Sequence, residues 1–181
     1  MKIHQITAPV RITALLLCFL VAPAYAAPSI SPTSSIELSV RDIDAHLRHA
    51  RIRTIELTGT DNGGILKGYY VRHHLRKIEV QVGLSSKMIE DDFYFGKQGL
   101  EFVTTTEMLY HWNDKKGEFD YLPYHKDSER SYFFAHGNLI SSKSSLNPAK
   151  PATRDEAASL MSDAAGYKTW LAEGKKSVQI N

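Results

Sequence analysis

The chain has 181 residues, with 22 Lys and Arg against 20 Asp and Glu, and a formal net charge of +2 at pH 7. That balance lacks the basic excess of a nucleic-acid binder. A single cysteine, Cys18, excludes an internal disulfide framework and a cysteine-rich metal site.

The N-terminus carries Lys2 and Arg11 and no acidic residue before Glu37. An apolar run follows from Ile12 to Val21, broken only by Thr13, and Ala24-Tyr25-Ala26 then supplies small residues at the two positions a signal peptidase reads. This layout predicts a secretory signal over residues 1–26, cleaved after Ala26. Its apolar core is about half the length of a bilayer-spanning helix. Cys18 lies inside that core and follows Leu17, so it does not fit a lipidation site. Cleavage removes Lys2, Arg11 and Cys18, leaving 20 basic against 20 acidic residues and no thiol. A protein outside the cytoplasm, periplasmic or secreted and without a membrane span, is expected.

Residues 27–36 hold Pro28, Pro32 and several Ser and Thr and read as a flexible leader. Ser39, with Asp42 three residues on, is a plausible N-cap, and Val40, Ile43, Leu47 and Ala50 recur at helical spacing. From residue 53 to 144 β-branched and aromatic residues dominate, punctuated by Gly, Asp and Asn. Strands are predicted over 53–58, 65–71, 75–83, 88–95, 100–113, 118–122, 129–135 and 138–144, with short loops that favour antiparallel pairing. Along the fifth, Leu100, Phe102, Met108, Tyr110 and Trp112 are expected on one face.

A weak repeat runs through this region. Tyr69-Tyr70 precedes Leu75, Tyr94-Phe95 precedes Leu100 and Phe133-Phe134 precedes Leu139, the second aromatic always five residues before the Leu. This is one hairpin written three times, at unequal spacing. After a Pro-containing linker, Thr153-Arg154-Asp155-Glu156 is a capping box, and Ala157, Leu160, Met161 and Ala164 mark a second amphipathic helix that Gly166 would end or kink. Trp170 and Leu171 are docking residues, and residues 174–181 are expected to be loose. The fold class predicted is α+β: an antiparallel β-meander of seven to eight strands flanked by an N-terminal and a C-terminal amphipathic helix, as one domain over residues 37–173.

The segments Lys67-Gly68-Tyr69-Tyr70, Asp92-Phe93-Tyr94-Phe95 with Leu100-Glu101-Phe102-Val103, and Tyr132-Phe133-Phe134 with Gly137-Asn138-Leu139-Ile140 resemble a loose group of small exported bacterial proteins with this helix–meander–helix layout. The resemblance implies fold and compartment and no chemistry. The chain departs from the group in Ser141-Ser142-Lys143-Ser144, where an apolar strand would be expected.

Seven histidines remain after cleavage. His46 and His49, at i and i+3 on the first helix, and His73 and His74, in a turn beside Arg72 and Arg76, are the candidate ligands for zinc or copper. No His-x-His pair or cysteine supports them. The chain has no Gly-x-Ser-x-Gly and no His-Glu-x-x-His. The carboxylates of Glu90-Asp91-Asp92 and of Asp114 and Glu118 are read as solvated turns. Neither an enzyme nor a cofactor is therefore expected. The aromatic-rich stretch from residue 110 to 127 is the candidate binding surface, with Tyr110, Trp112, Tyr121, Tyr124 and His125. The reading is an exported, non-catalytic module that binds a protein partner, in the manner of an inhibitor or immunity protein. A histidine-based ligand or metal carrier and a hydrolase with an unrecognised site are the alternatives.

Overall fold

The computed structural model describes residues 31–146 and 151–180, so the predicted signal segment and Cys18 lie outside the described residues. The order is α1 (Pro32–His46), a 3-10 turn (Leu47–His49), β1 (Arg51–Thr58), β2 (Gly64–Val71), β3 (His74–Gly83), β4 (Lys87–Gly96), β5 (Gly99–Asn113), β6 (Glu118–Ala135), β7 (Asn138–Ser144), α2 (Arg154–Glu173) and β8 (Ser177–Gln179). The fold is α+β. One eight-stranded sheet runs β7-β6-β5-β4-β3-β2-β1-β8, antiparallel throughout except for β8, which lies parallel to β1.

Four expectations are corrected. Helix α1 starts at Pro32, within the segment read as leader, because Ser31 caps it by accepting from Ser34 N–H and Pro32 brings the φ its first turn needs. The two strands expected over 118–122 and 129–135 are one, β6. Gly166 neither ends nor kinks α2, which continues to Glu173 and stops at Gly174, whose φ of 68° is the left-handed C-terminal cap. Finally, the tail is not all loose: Ser177–Gln179 pairs with Glu56–Thr58, and Val178 and Ile180 pack on the core. The capping box of α2 forms as the sequence implies, with Thr153 and Glu156 exchanging hydrogen bonds.

The threefold hairpin repeat has a structural meaning. Tyr70 pairs with Leu75, Phe95 with Leu100 and Phe134 with Leu139, and in each hairpin the register slips by one residue at that pair. Arg76, Glu101 and Ile140 are the extra residues of three β-bulges at the same end of the sheet. A bulge resets which face a side chain occupies. Leu100 therefore joins the core under α2, while Phe102, expected beside it, points to the other face.

Each face carries a helix. Under α2 lie Ile55, Leu57, Leu66, Ile78, Val80, Phe93, Val103 and Phe134, closed by Ala157, Ala164 and Leu171 of the helix. Gly68 makes room for Leu171, since a Cβ there would stand 2.6 Å from its Cδ1. The opposite face has an aromatic row, Tyr94–Phe102–Phe133, with centroids 5.8 and 5.0 Å apart. Helix α1 covers this end: Ser39 donates to the bulged Glu101 at 2.9 Å, and Glu37 pairs with Lys143, whose ammonium lies 5.0 Å from the centre of the Phe133 ring. Strand β7 is the edge, which accounts for its polar Ser-Ser-Lys-Ser run: a charged, polar edge discourages pairing with other chains.

Candidate functional site: an aromatic arm and two perturbed carboxylates

Strand β4 pairs with β5 only as far as Leu109, opposite Lys87, and β7 pairs with β6 only from Arg130 to Ala135. Residues 110–124 therefore form a two-stranded ribbon beyond the body of the sheet, reaching about 13 Å past Leu109 at the rise of a β-strand. Trp112 pairs with Phe119 across it, their rings edge-to-face at 4.9 Å. Tyr110 pairs with Tyr124 and packs edge-to-face on Tyr121 at 5.0 Å. Between the pairs Tyr110–Tyr124 and His111–Asp120, residues 121–123 bulge outward, with a cis Leu122–Pro123 bond.

The bulge decides what the arm presents. Leu122 is 74% exposed, Tyr121 51%, Trp112 47% and Tyr124 41%. Tyr110 is buried at the root, and that burial holds its phenol above the usual tyrosine range. His125 is exposed and pairs with Leu109. Four of the five residues singled out in the sequence thus fall on the ribbon, with Tyr110 as support rather than contact, and His125 stands just below it. Leu122 was missed. Its signal is the Leu-Pro step inside a strand pattern, which proline interrupts because it has no N–H for the ladder. The turn at the tip is closed by Asn113, whose side chain accepts from the Lys115 and Lys116 N–H groups and donates to Asp120. Asp120 is held below the usual carboxylate range by Lys116 and Asn113.

The acidic run Glu90-Asp91-Asp92 lies in the middle of β4, within the strand predicted over 88–95, and its two aspartates are largely withdrawn from solvent rather than solvated as expected. Alternation sends Asp91 and Asp92 to opposite faces, so they do not act as a pair on one ligand. Asp92 meets Lys77 at 2.8 Å inside a cross-strand ladder that continues through Lys67–Glu79 at 2.6 Å and Gln81–Glu90 at 2.8 Å. Burial, opposed by Lys77 and reinforced by Glu90 and Glu79, pushes its carboxyl up to about 6. Burial also works to raise Glu79, but Lys67 and Tyr69 hydrogen-bond it and hold it below the ordinary value. Asp91 lies under α2. Burial, together with Asp163 on the helix and with Asp92 and Glu90, pushes it up to about 6, against a hydrogen bond with Thr105. Oδ1 of each aspartate has no hydrogen-bond partner among the described residues.

The histidines do not converge as one site. His46 and His74 line one depression and His49 and His73 another. Among the described residues no three of His, Cys, Asp or Glu are grouped to hold a metal ion. No helix among them is long and apolar enough to cross a membrane. No protein-family model, curated protein or solved structure matches the chain.

Proposed function

We propose that the protein is a non-catalytic binding module of the cell envelope, and that its aromatic arm inserts into a cleft of a protein partner. The observation behind this reading is the exposure of Trp112, Tyr121, Leu122 and Tyr124 together on a ribbon that stands clear of the sheet. Burying large aromatic side chains supplies most of the energy of a typical protein interface, and Trp and Tyr are its commonest anchors. Here two of the anchors are pre-set: Trp112 leans edge-to-face on Phe119 and Tyr121 on Tyr110, so little of their side-chain freedom is left to lose on binding. Asp114, Lys115, Glu118, Lys126 and Asp127 surround them with both charge signs, as in the rim of an interface. The open backbone of β6 before Glu129 adds main-chain donors and acceptors for a partner strand.

The test uses the purified protein as bait in its own envelope extract, followed by titration of the captured partner in pure form. Trp112→Ala and Tyr121→Ala are each expected to weaken that binary complex about 30-fold, the size of a hot-spot loss. Asn138→Ala, at the start of β7 and at the opposite end of the sheet, should leave it unchanged. A partner whose affinity ignores both arm variants, or an extract that yields no stoichiometric partner, overturns the reading.

A further inference from the structure

At the other end of the molecule from the arm, the 3-10 turn, the start of β1 and the β2–β3 turn bring together Arg48, Arg51, Arg53, Arg72 and Arg76. The chain is close to neutral, so this is a segregation of charge rather than an excess of it. Many of the cations elsewhere are matched: Lys67, Lys77, Lys87, Lys116, Lys126, Arg130 and Lys143 each meet a carboxylate within 4.0 Å. None of these five arginines has such a partner among the described residues. Arg53 donates to the Leu171 carbonyl and lies over the Tyr70 ring, and Arg48 donates to His49. The one carboxylate lining the surface, Asp42, already faces His46 at 3.6 Å.

Two features indicate that this arrangement is held for a ligand. The two-residue β2–β3 turn places both Arg72 and His73 at positive φ, 49° and 69°. Asn-Gly is the low-cost choice there, and a left-handed non-glycine residue costs about 1–2 kcal/mol. The corresponding β6–β7 turn has one such residue, His136 at 51°, followed by a glycine, Gly137, so only the β2–β3 turn carries two. A strained backbone that aims two donor-rich side chains outward is characteristic of binding sites. Arg76, moreover, takes the extra position of the β-bulge that recurs in all three hairpins, held elsewhere by Glu101 and Ile140, and here that position carries a guanidinium.

Three depressions of about 240, 270 and 570 Å³ adjoin here, the first two sharing Arg72 and the first and third sharing His74 and Arg76. The first two have arginine as their only permanent cation; Lys97 and Lys168 enter at the third. The planar guanidinium fork matches two oxygens of a phosphate at once, which an ammonium does not. We propose that this end of the sheet binds a ligand carrying more than one phosphate group, with Arg72 and Arg76 gripping one phosphate and Arg51 an adjacent one.

Calorimetric titration with tripolyphosphate, and co-sedimentation with phosphatidylcholine vesicles with and without cardiolipin, whose headgroup carries two phosphates, test this and separate a free phosphorylated compound from a lipid headgroup. Binding to either probe should fall about tenfold or more in Arg72→Asn/Arg76→Gln. Asn is chosen because it tolerates positive φ. Arg51→Gln, away from the turn, should weaken binding in the same sense and serves if the double variant does not fold. Lys175→Ala/Lys176→Ala removes the same charge elsewhere and should leave binding within about twofold. Tripolyphosphate binding assigns a soluble ligand, and binding to cardiolipin vesicles alone assigns a headgroup. No binding to either probe, or equal losses in the lysine control, overturns the proposal.

Discussion

Asp91 is a carboxylate whose neighbourhood works against its charge, so removing that charge should stabilise the fold. Thr105 on β5 meets it, Asp163 and Tyr167 face it from α2, and Asp92 and Glu90 flank it on β4. Its carboxyl is pushed from 3.8 up to about 6. A native value above the unfolded one means that the native state holds the proton more tightly. The carboxylate therefore costs little below pH 3.8, and the cost grows as pH rises through the window from about 4 to about 6. At 1.36 kcal/mol per unit, the full penalty above pH 7 is about 3 kcal/mol, of which roughly a third is present at pH 4.5. Asp91→Asn removes the charge and keeps an oxygen for Thr105, but its amide must find acceptors under the helix. A net gain of about 1–2 kcal/mol at pH 7.5, shrinking towards zero at pH 4.5, is expected in urea unfolding followed by circular dichroism. A variant less stable than the parent at pH 7.5, or a difference that does not change with pH, would refute the reasoning.

Gly68→Ala drives a Cβ into Leu171 and should cost about 1–3 kcal/mol, read as a lower urea midpoint at unchanged slope. Leu171→Ala, by contrast, opens a cavity at a side chain 1% exposed and should cost about 2–5 kcal/mol. Thr153→Ala removes half of the α2 capping box, and a loss of about 1 kcal/mol is expected in the same measurement. The exposed arm should behave differently: Leu122→Ser, at a site 74% exposed, should shift stability by less than about 0.5 kcal/mol while weakening partner capture.

Strand positions were legible in this chain because alternation and turn residues are local signals. The β2 to β5 boundaries fall within a residue of those read from the sequence, and the Thr153–Glu156 box marks the start of α2. The N-terminus of α1 was misplaced because two capping signals compete: Ser39 with Asp42 matches the pattern, but Ser31 with Pro32 lies upstream and α1 gains Ile36 as a buried residue by starting there. Strand β8 left no local trace. Its three residues are held by pairing with β1 and by Val178 packing on the core, both long-range interactions. Of the arm, the aromatic composition was visible but its exposure was not, because exposure depends on where β4 and β7 stop.

By itself, the sequence determined the α+β class, the meander and the threefold aromatic–leucine hairpin, since each rests on periodicity and turn chemistry within a few residues. Tertiary structure alone decided the rest. The hairpin repeat contains a bulge, and a one-residue slip exchanges the two faces of a strand, so the split between the α1 and α2 sides follows from register rather than from spacing. The arginines are likewise scattered over residues 48–76 and become one surface only when β1, β2 and β3 lie side by side. Asp91 and Asp92 are neighbours in the chain, yet the pleat gives each its own face, its own partners and its own reason to resist ionisation.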